Sequence, residues 1–258
     1  MCYSVEQQEW RVVKWLERYG SQEEYLAALE YYRQTWGTPK EDSQGYHLSG
    51  FTHPQLVVIN SLKPLRFGRA VWGLIPYWVK DESQAKLVWN KTINARGETL
   101  FEKPSFKRAA KNGRCIVIVD SFFEHHHFRK KAFPYRIRFR DGEPILLAGI
   151  ADVWVNRSTG EEIKSVAIVT TPANQLMAKV HNNPMIPAPR MPLILDDDSA
   201  DRWLSEISEN EIGDLIRPND HLQLEVYSVQ KLLGNNSLGN VPEALDPHEY
   251  QEVPLRIE

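Results

Sequence analysis

The run Cys115-Ile116-Val117-Ile118-Val119, entered from Arg114 and left at Asp120, constrains the fold more than any other stretch. It has no helical period, it is rich in β-branched residues, and a charge closes it at each end. Such a run reads as a buried strand. Shorter β patterns surround it. Leu56–Ile59 is an apolar strand, Arg69–Ile75 is another, stopped by Pro76, and Val166–Val169 is a third. Ile145–Trp154 follows a Gly142-Glu143 turn, Met191–Leu195 is bounded by Pro192, and Leu222–Val226 is the last. From Pro134 to Arg140, Tyr135, Ile137 and Phe139 alternate with Arg136, Arg138 and Arg140, which gives one apolar and one basic face.

Helical patterns stand among and before these strands. Residues 6–18 space Trp10, Val13 and Leu16 on one face, with Gly20 as the stop. Ser21, followed by Glu23-Glu24, reads as the cap of a second helix running to about Trp36. Gly37 to Gln44 is a loop, and 105–112 is a basic helical segment. Ala173–Val180 is a short helix with Asn174 near its start; Asp196 to Ser199 caps a helix through Leu204, and Ser208–Ile216 is another. The expectation is a single α+β domain over 1–258, with a mostly antiparallel, barrel-like β core and peripheral helices. Its core covers about 2–229, and 230–258 is a loop-rich tail.

A chain of 258 residues can bury most of its apolar surface without disulfides or metal. The two cysteines, Cys2 and Cys115, do not make a disulfide framework, and Cys115 is a small core hydrophobe within its strand. There is no leader pattern and no run of 18 apolar residues, so a soluble, cytoplasmic protein with no membrane partner is expected. A net charge of −3 argues against a uniformly basic nucleic-acid coat but leaves room for a local basic groove.

The second residue is chemically unusual. Removal of Met1 would leave Cys2 with an α-amine and a thiol on neighbouring carbons. An α-amine has a reference pKa of about 7.7–8.0, so roughly a quarter of it is unprotonated near pH 7.4. The pair can capture an aldehyde as a thiazolidine ring, or the thiol can act as an acyl acceptor with the amine as base. Read alone, Cys2 is equally a terminal residue with no role. Glu124 follows the strongest strand within Asp120-Ser121-Phe122-Phe123-Glu124-His125-His126-His127. A carboxylate there, flanked by phenylalanines, suits proton transfer, although an edge salt bridge accounts for it as well. Consecutive residues of an extended chain point to alternate faces, so the three histidines do not converge on one metal, and no metal or cofactor is expected. His181 ends the Ala173–Val180 helix. Asn94 and Arg96 share a face of an extended segment and could orient a polar ligand or a phosphate. Trp72-Gly73-Leu74-Ile75-Pro76-Tyr77-Trp78 is core, or a platform for an unpaired base.

Taken in order, Cys2, the Trp72–Trp78 stretch, Asn94-Ala95-Arg96, Glu124 after a strand, Thr170-Thr171-Pro172-Ala173-Asn174, and His181 with Arg190-Met191-Pro192 resemble the SOS response-associated peptidase family of abasic-site processing proteins. The motifs span residues 2 to about 195, and the ordered set carries the resemblance. It implies a compact α+β fold with a barrel-like core, acting as a monomer on single-stranded DNA that contains abasic sites, in the cytoplasm and on the nucleoid. It implies that Cys2 forms a Schiff base and then a thiazolidine with the ring-opened sugar. Glu124 would shuttle protons, His181 would assist ring opening and reversal, and Asn94 would position Cys2 or the sugar. Arg96 and Arg190 would contact phosphates, and Trp72 would line or wedge the DNA path. The chain departs from the family pattern at Tyr3-Ser4, where Gly-Arg is common, at His125, where tryptophan is common, and in the eight residues between His181 and Arg190.

Two other readings use the same residues. Cys2 could be the nucleophile of an N-terminal-nucleophile cysteine peptidase or amidohydrolase that does not act on DNA, with its own amine or His181 as base. Alternatively Trp72, Arg96, Arg136 and Arg138 could form a reversible, salt-sensitive nucleic-acid surface.

Overall fold

The computed structural model describes residues 2–39, 45–234 and 237–253; Met1, residues 40–44 of the expected loop, and the end of the tail lie outside them. In chain order the elements are β1 (Ser4–Glu6), α1 (Glu9–Trp15), α2 (Gln22–Trp36), β2 (Leu48–Ser49), β3 (Gln55–Leu62), β4 (Leu65–Trp72), α3 (Glu82–Trp89), β5 (Asn94–Arg96), α4 (Lys107–Asn112) and β6 (Arg114–Val119). There follow β7 (Ser121–Phe128), β8 (Lys131–Phe139), β9 (Ile145–Val155), β10 (Glu162–Pro172), α5 (Gln175–Val180), β11 (Arg190–Pro192), β12 (Ile194–Leu195), α6 (Asp197–Leu204), α7 (Glu209–Leu215) and β13 (Leu224–Ser228).

Caps visible in the sequence set the helix starts. Ser21 Oγ accepts from Glu24 N at 3.2 Å while the Glu24 carboxylate accepts from Ser21 N at 2.8 Å. Asp196 and Ser208 make the same reciprocal pair for α6 and α7. Helix α3 was not legible in the sequence. Asp81 caps it, but Ala85 is its only buried residue, so it carries almost no apolar stripe.

Two sheets share an interior. Strands β10, β4, β3, β6 and β9 run in that order, and β9 pairs back to β10, which closes a five-stranded barrel. Most pairings are antiparallel, as expected; β10 adds parallel pairings with β4 and with β5. The second sheet, β13-β8-β7-β1-β2, is antiparallel throughout. Strand β6 shows why its sequence is unbroken in hydrophobicity. Cys115, Val117 and Val119 face an interior shared with Phe122, Tyr135 and Ile137 of the second sheet. Ile116 and Ile118 face the outer layer, where α1, α2, α4, α6 and α7 pack. Both faces are covered, so neither alternates with polar residues.

The short strand β1 matters most for the site. It lies between β7 and β2, with Ser4 opposite both Phe123 and Ser49. Its far end is tied down inside the protein. The buried Glu6 carboxylate accepts from Ser121 Oγ and pairs with Arg136, whose Nε also donates to Ser121 Oγ at 3.0 Å. The Gln7 side chain accepts from Val57 N at 2.8 Å and donates to Ile118 O. These contacts correct the expected basic face on β8. Arg136 is only 7% exposed and is held by Glu6, so it is not offered to a nucleic acid, while the half-exposed Arg138 pairs through Nε with Glu225 at 2.6 Å. After Val229 the described residues hold one short turn of 3-10 helix, Pro242–Leu245, and are part of the packing: Val229, Leu232 and Ala244 are buried against Phe123. No helix among the described residues is long and apolar enough to cross a membrane.

Candidate active site

Strands β1, β5 and β7 and the end of α5 bring four of the expected residues together. Cys2, two residues before β1, is fully buried in the inner cluster beside Val5, Trp72 and Ile93. Asn94 opens β5 and donates from Nδ2 to the Cys2 carbonyl at 2.7 Å. Its Oδ1 is buried and accepts no hydrogen bond among the described residues. On β7, Glu124 is 4% exposed, and its neighbour in the ladder is Tyr135 of β8. His181 follows α5 directly and is 5% exposed, with Nδ1 lying 3.9 Å from Glu124 Oε2.

The eight residues between His181 and Arg190 do not carry the histidine away. Asn182 brackets His127 of β7 with two backbone bonds, one of them Nδ2 to His127 O at 3.0 Å. Strand β11 then pairs Arg190 with Pro172 of β10. His181 Nδ1 consequently sits 2.7 Å from Arg190 O. Arg190 N lies 3.4 Å from the same nitrogen, so the Arg190 backbone holds the imidazole by its Nδ1 edge.

The electrostatics bear on the order of events. Burial, and after it the Glu124 charge, push the Cys2 thiol well above its ordinary value. The positive charge of the N-terminus and the Ser4 carbonyl pull the other way and are outweighed. Burial likewise pushes Cys115 up, to about 12, as suits a core thiol. Asp120, at the β6–β7 junction, is a second buried carboxylate. Burial and the neighbouring Glu6 raise it to about 7, against the pull of Gln8 N, Arg11 and Arg136.

Two expected DNA contacts are corrected. Trp72 is fully buried, and its indole N–H donates to Ile93 O at 3.0 Å, so it neither lines nor wedges a DNA path. It props the residue before Asn94 from below. A Cβ on Gly50 would meet that packing at 2.7 Å from Ile93 and 3.2 Å from Trp72, which is why glycine stands there. The exposed aromatics of the stretch are Tyr77 and Trp78. Arg190 is 8% exposed and forks onto Glu98 at 2.7 and 2.8 Å, with a further bond to Thr170 O at 2.8 Å. With its donors so engaged it orients its own carbonyl toward His181 rather than meeting a phosphate. Arg96, in contrast, is exposed two residues from Asn94.

Glu124 and His181 border a cleft of about 460 Å³ that Tyr3, Phe51, His125, His127 and Lys231 also line; Cys2 and Asn94 are not among its lining residues. The histidines alternate as an extended chain requires. His126 turns to Lys179 O at 3.0 Å, while His125 and His127 line the cleft. No group of three or more His, Cys, Asp or Glu among the described residues is arranged to hold a metal ion. Sequence reasoning missed Glu98, Phe51 and Lys231. Glu98 lies two residues past Arg96 and could have been paired with Arg190 only from the β10–β11 register. Phe51 is brought to Tyr3 by the β1–β2 ladder, ring centroids 5.0 Å apart.

The sequence profile described as SOS response associated peptidase (SRAP) matches residues 11–236. The abasic site processing protein YoqW of Bacillus subtilis (strain 168) is 35% identical over 209 residues, covering 79% of this chain and 88% of the relative. The abasic site processing protein HMCES of Rattus norvegicus is 32% identical over 206 residues, covering 68% of this chain and 55% of the relative. A crystal structure of a Bacteroides thetaiotaomicron protein superposes with a TM-score of 0.78 at 30% identity, covering 96% of this chain and 100% of that one. A Bordetella bronchiseptica protein does so with a TM-score of 0.67 at 25% identity, covering 89% and 100%. This chain belongs to the SOS response associated peptidase family.

Proposed function

We propose that the protein processes abasic sites by covalent capture, with Cys2, freed of Met1, as the residue that bonds to the lesion. The observation that carries this reading is the seating of Cys2, through its Asn94 bond, in the same buried site as Glu124 and His181. The substrate is the ring-opened sugar of an abasic site in single-stranded DNA. It acts as a monomer in the cytoplasm, on the nucleoid when bound.

The amine acts first, because the thiol is held protonated while an α-amine is partly free near neutrality. His181 gives a proton to the sugar ring oxygen, and the anomeric hydroxyl gives one up, as the ring opens to the aldehyde. The Cys2 amine adds to the aldehyde carbon, Glu124 relays protons, and one water leaves as the imine forms. The thiol then adds to the imine carbon. Its proton passes through Glu124 to the nitrogen, and a five-membered thiazolidine closes. In sum, one aldehyde and one aminothiol give one ring and one water. Asn94 Nδ2 fixes the Cys2 carbonyl, and its Oδ1 is an acceptor for a sugar hydroxyl or for the amine. Arg96 meets an adjoining phosphate. Strand scission accompanying imine formation would be a lyase activity of the same intermediate.

The same residue used as a cysteine peptidase would need a thiolate, and both burial and Glu124 oppose one. The test is a denaturing gel of protein mixed with an abasic single-stranded oligonucleotide. Wild type gives a shifted band that survives denaturation and Cys2→Ala does not; an equal band from both rejects the proposal.

A further inference from the structure

We infer that the β7–β8 turn, Arg129-Lys130, is a phosphate-binding tip that holds single-stranded DNA beyond the lesion. The inference rests on the capture reading above. Phe128 faces Lys131 across the hairpin, so the turn has two residues. Both have left-handed backbone, Arg129 at φ 46° and Lys130 at φ 63°. Two positive φ values in a two-residue hairpin define the turn type that strongly prefers Asn-Gly or Asp-Gly. A left-handed backbone is unfavourable for an L-residue with a long side chain. The chain nevertheless places two cations there. Lys131 pairs with Glu252 at 3.2 Å, whereas neither Arg129 nor Lys130 pairs with a carboxylate among the described residues. Both are exposed. Arg129 lies over the Phe128 ring at 5.2 Å, which directs its guanidinium without neutralising it.

The position fits a DNA strand leaving the site. His127 and Ala132, the pair one step below Phe128 and Lys131, line the cleft, as do His125 and Lys231. Five residue steps lead from Glu124 to Arg129, roughly 17 Å at about 3.4 Å each. A base-stacked strand advances about 3.4 Å per nucleotide, so the tip lies roughly five nucleotides from the captured sugar. The tip therefore holds only strands that extend well past the lesion.

The double variant Arg129→Asn with Lys130→Gly tests this, because it installs the turn's preferred residues and removes both charges. Binding of undamaged single-stranded 20-mer is measured by fluorescence anisotropy between 50 and 200 mM salt. Each cation on a single strand contributes about 0.7 to the slope of log K against log salt, so the variant's slope should fall by about 1.4. Thermal stability should be equal to or above wild type. Adduct formation with an abasic 5-mer should match wild type, while that with an abasic 20-mer below saturation should slow about tenfold. An unchanged slope with an unchanged 20-mer rate overturns the inference while leaving capture standing. If wild type forms no adduct with either oligonucleotide, the capture reading fails first.

Discussion

Asn94→Ala removes a side-chain bond that, among the described residues, ties the Cys2 main chain to β5. The bond is short, 2.7 Å, and partly buried. A hydrogen bond of this kind contributes about 1–2 kcal/mol, and 1.36 kcal/mol is a tenfold change in rate. Adduct formation should therefore slow about 5- to 30-fold once DNA is saturating. The fold itself should tolerate the change, because the backbone of β5 keeps its ladder with β10 through Ile168 and Thr170. Asn94→Asp should be slower still, since it sets a carboxylate against the Cys2 carbonyl where a donor stood and adds charge near Glu124. The assay is rapid quenching of a single turnover with protein in excess, read on a denaturing gel, alongside urea unfolding of each variant. The reasoning is wrong if Asn94→Ala reacts within twofold of wild type at saturation, or if its defect disappears once more protein is added.

Asp120, raised from an ordinary carboxylate value to about 7, predicts a pH dependence of stability. A raised folded-state pKa gives stability that is present below about pH 4 and lost as pH rises through 7; three units correspond to an upper bound of about 4 kcal/mol. Asp120→Asn should flatten that part of the profile and match or exceed wild type at pH 8 by chemical denaturation; an unchanged slope would count against the assignment. Trp72→Phe should lose about 1–2 kcal/mol with its Ile93 bond, and Trp72→Ala about 3–5 kcal/mol, with DNA affinity of the folded protein preserved. Weaker DNA binding by Trp72→Phe at unchanged stability would return that ring to the DNA path.

The sequence disclosed the fold wherever local rules govern. The Cys115–Val119 run, the Ser21, Asp196 and Ser208 caps and the alternation of His125 to His127 all follow from periods and side-chain chemistry that neighbours do not override. Helix α3 escaped because its one buried residue leaves no stripe to detect. The site residues Cys2, Asn94, Glu124 and His181 were readable as a set only through the family resemblance, since they come from four separate elements. Their contacts were not readable. Arg190 and Arg136 looked like basic residues for a polyanion, and each is turned inward by a carboxylate far away in sequence, Glu98 and Glu6. Trp72 looked like a stacking platform because an aromatic cluster beside glycine and proline has the same spelling in a core and on a surface.

The central claim is that Cys2 bonds to the abasic sugar through both its amine and its thiol. Intact mass of the protein after incubation with an abasic single-stranded oligonucleotide tests it most directly. The account predicts protein without Met1, increased by the mass of the oligonucleotide less one water, with the Cys2 thiol no longer open to alkylation. Retained Met1 with no adduct, or an adduct whose Cys2 thiol still alkylates, would contradict it.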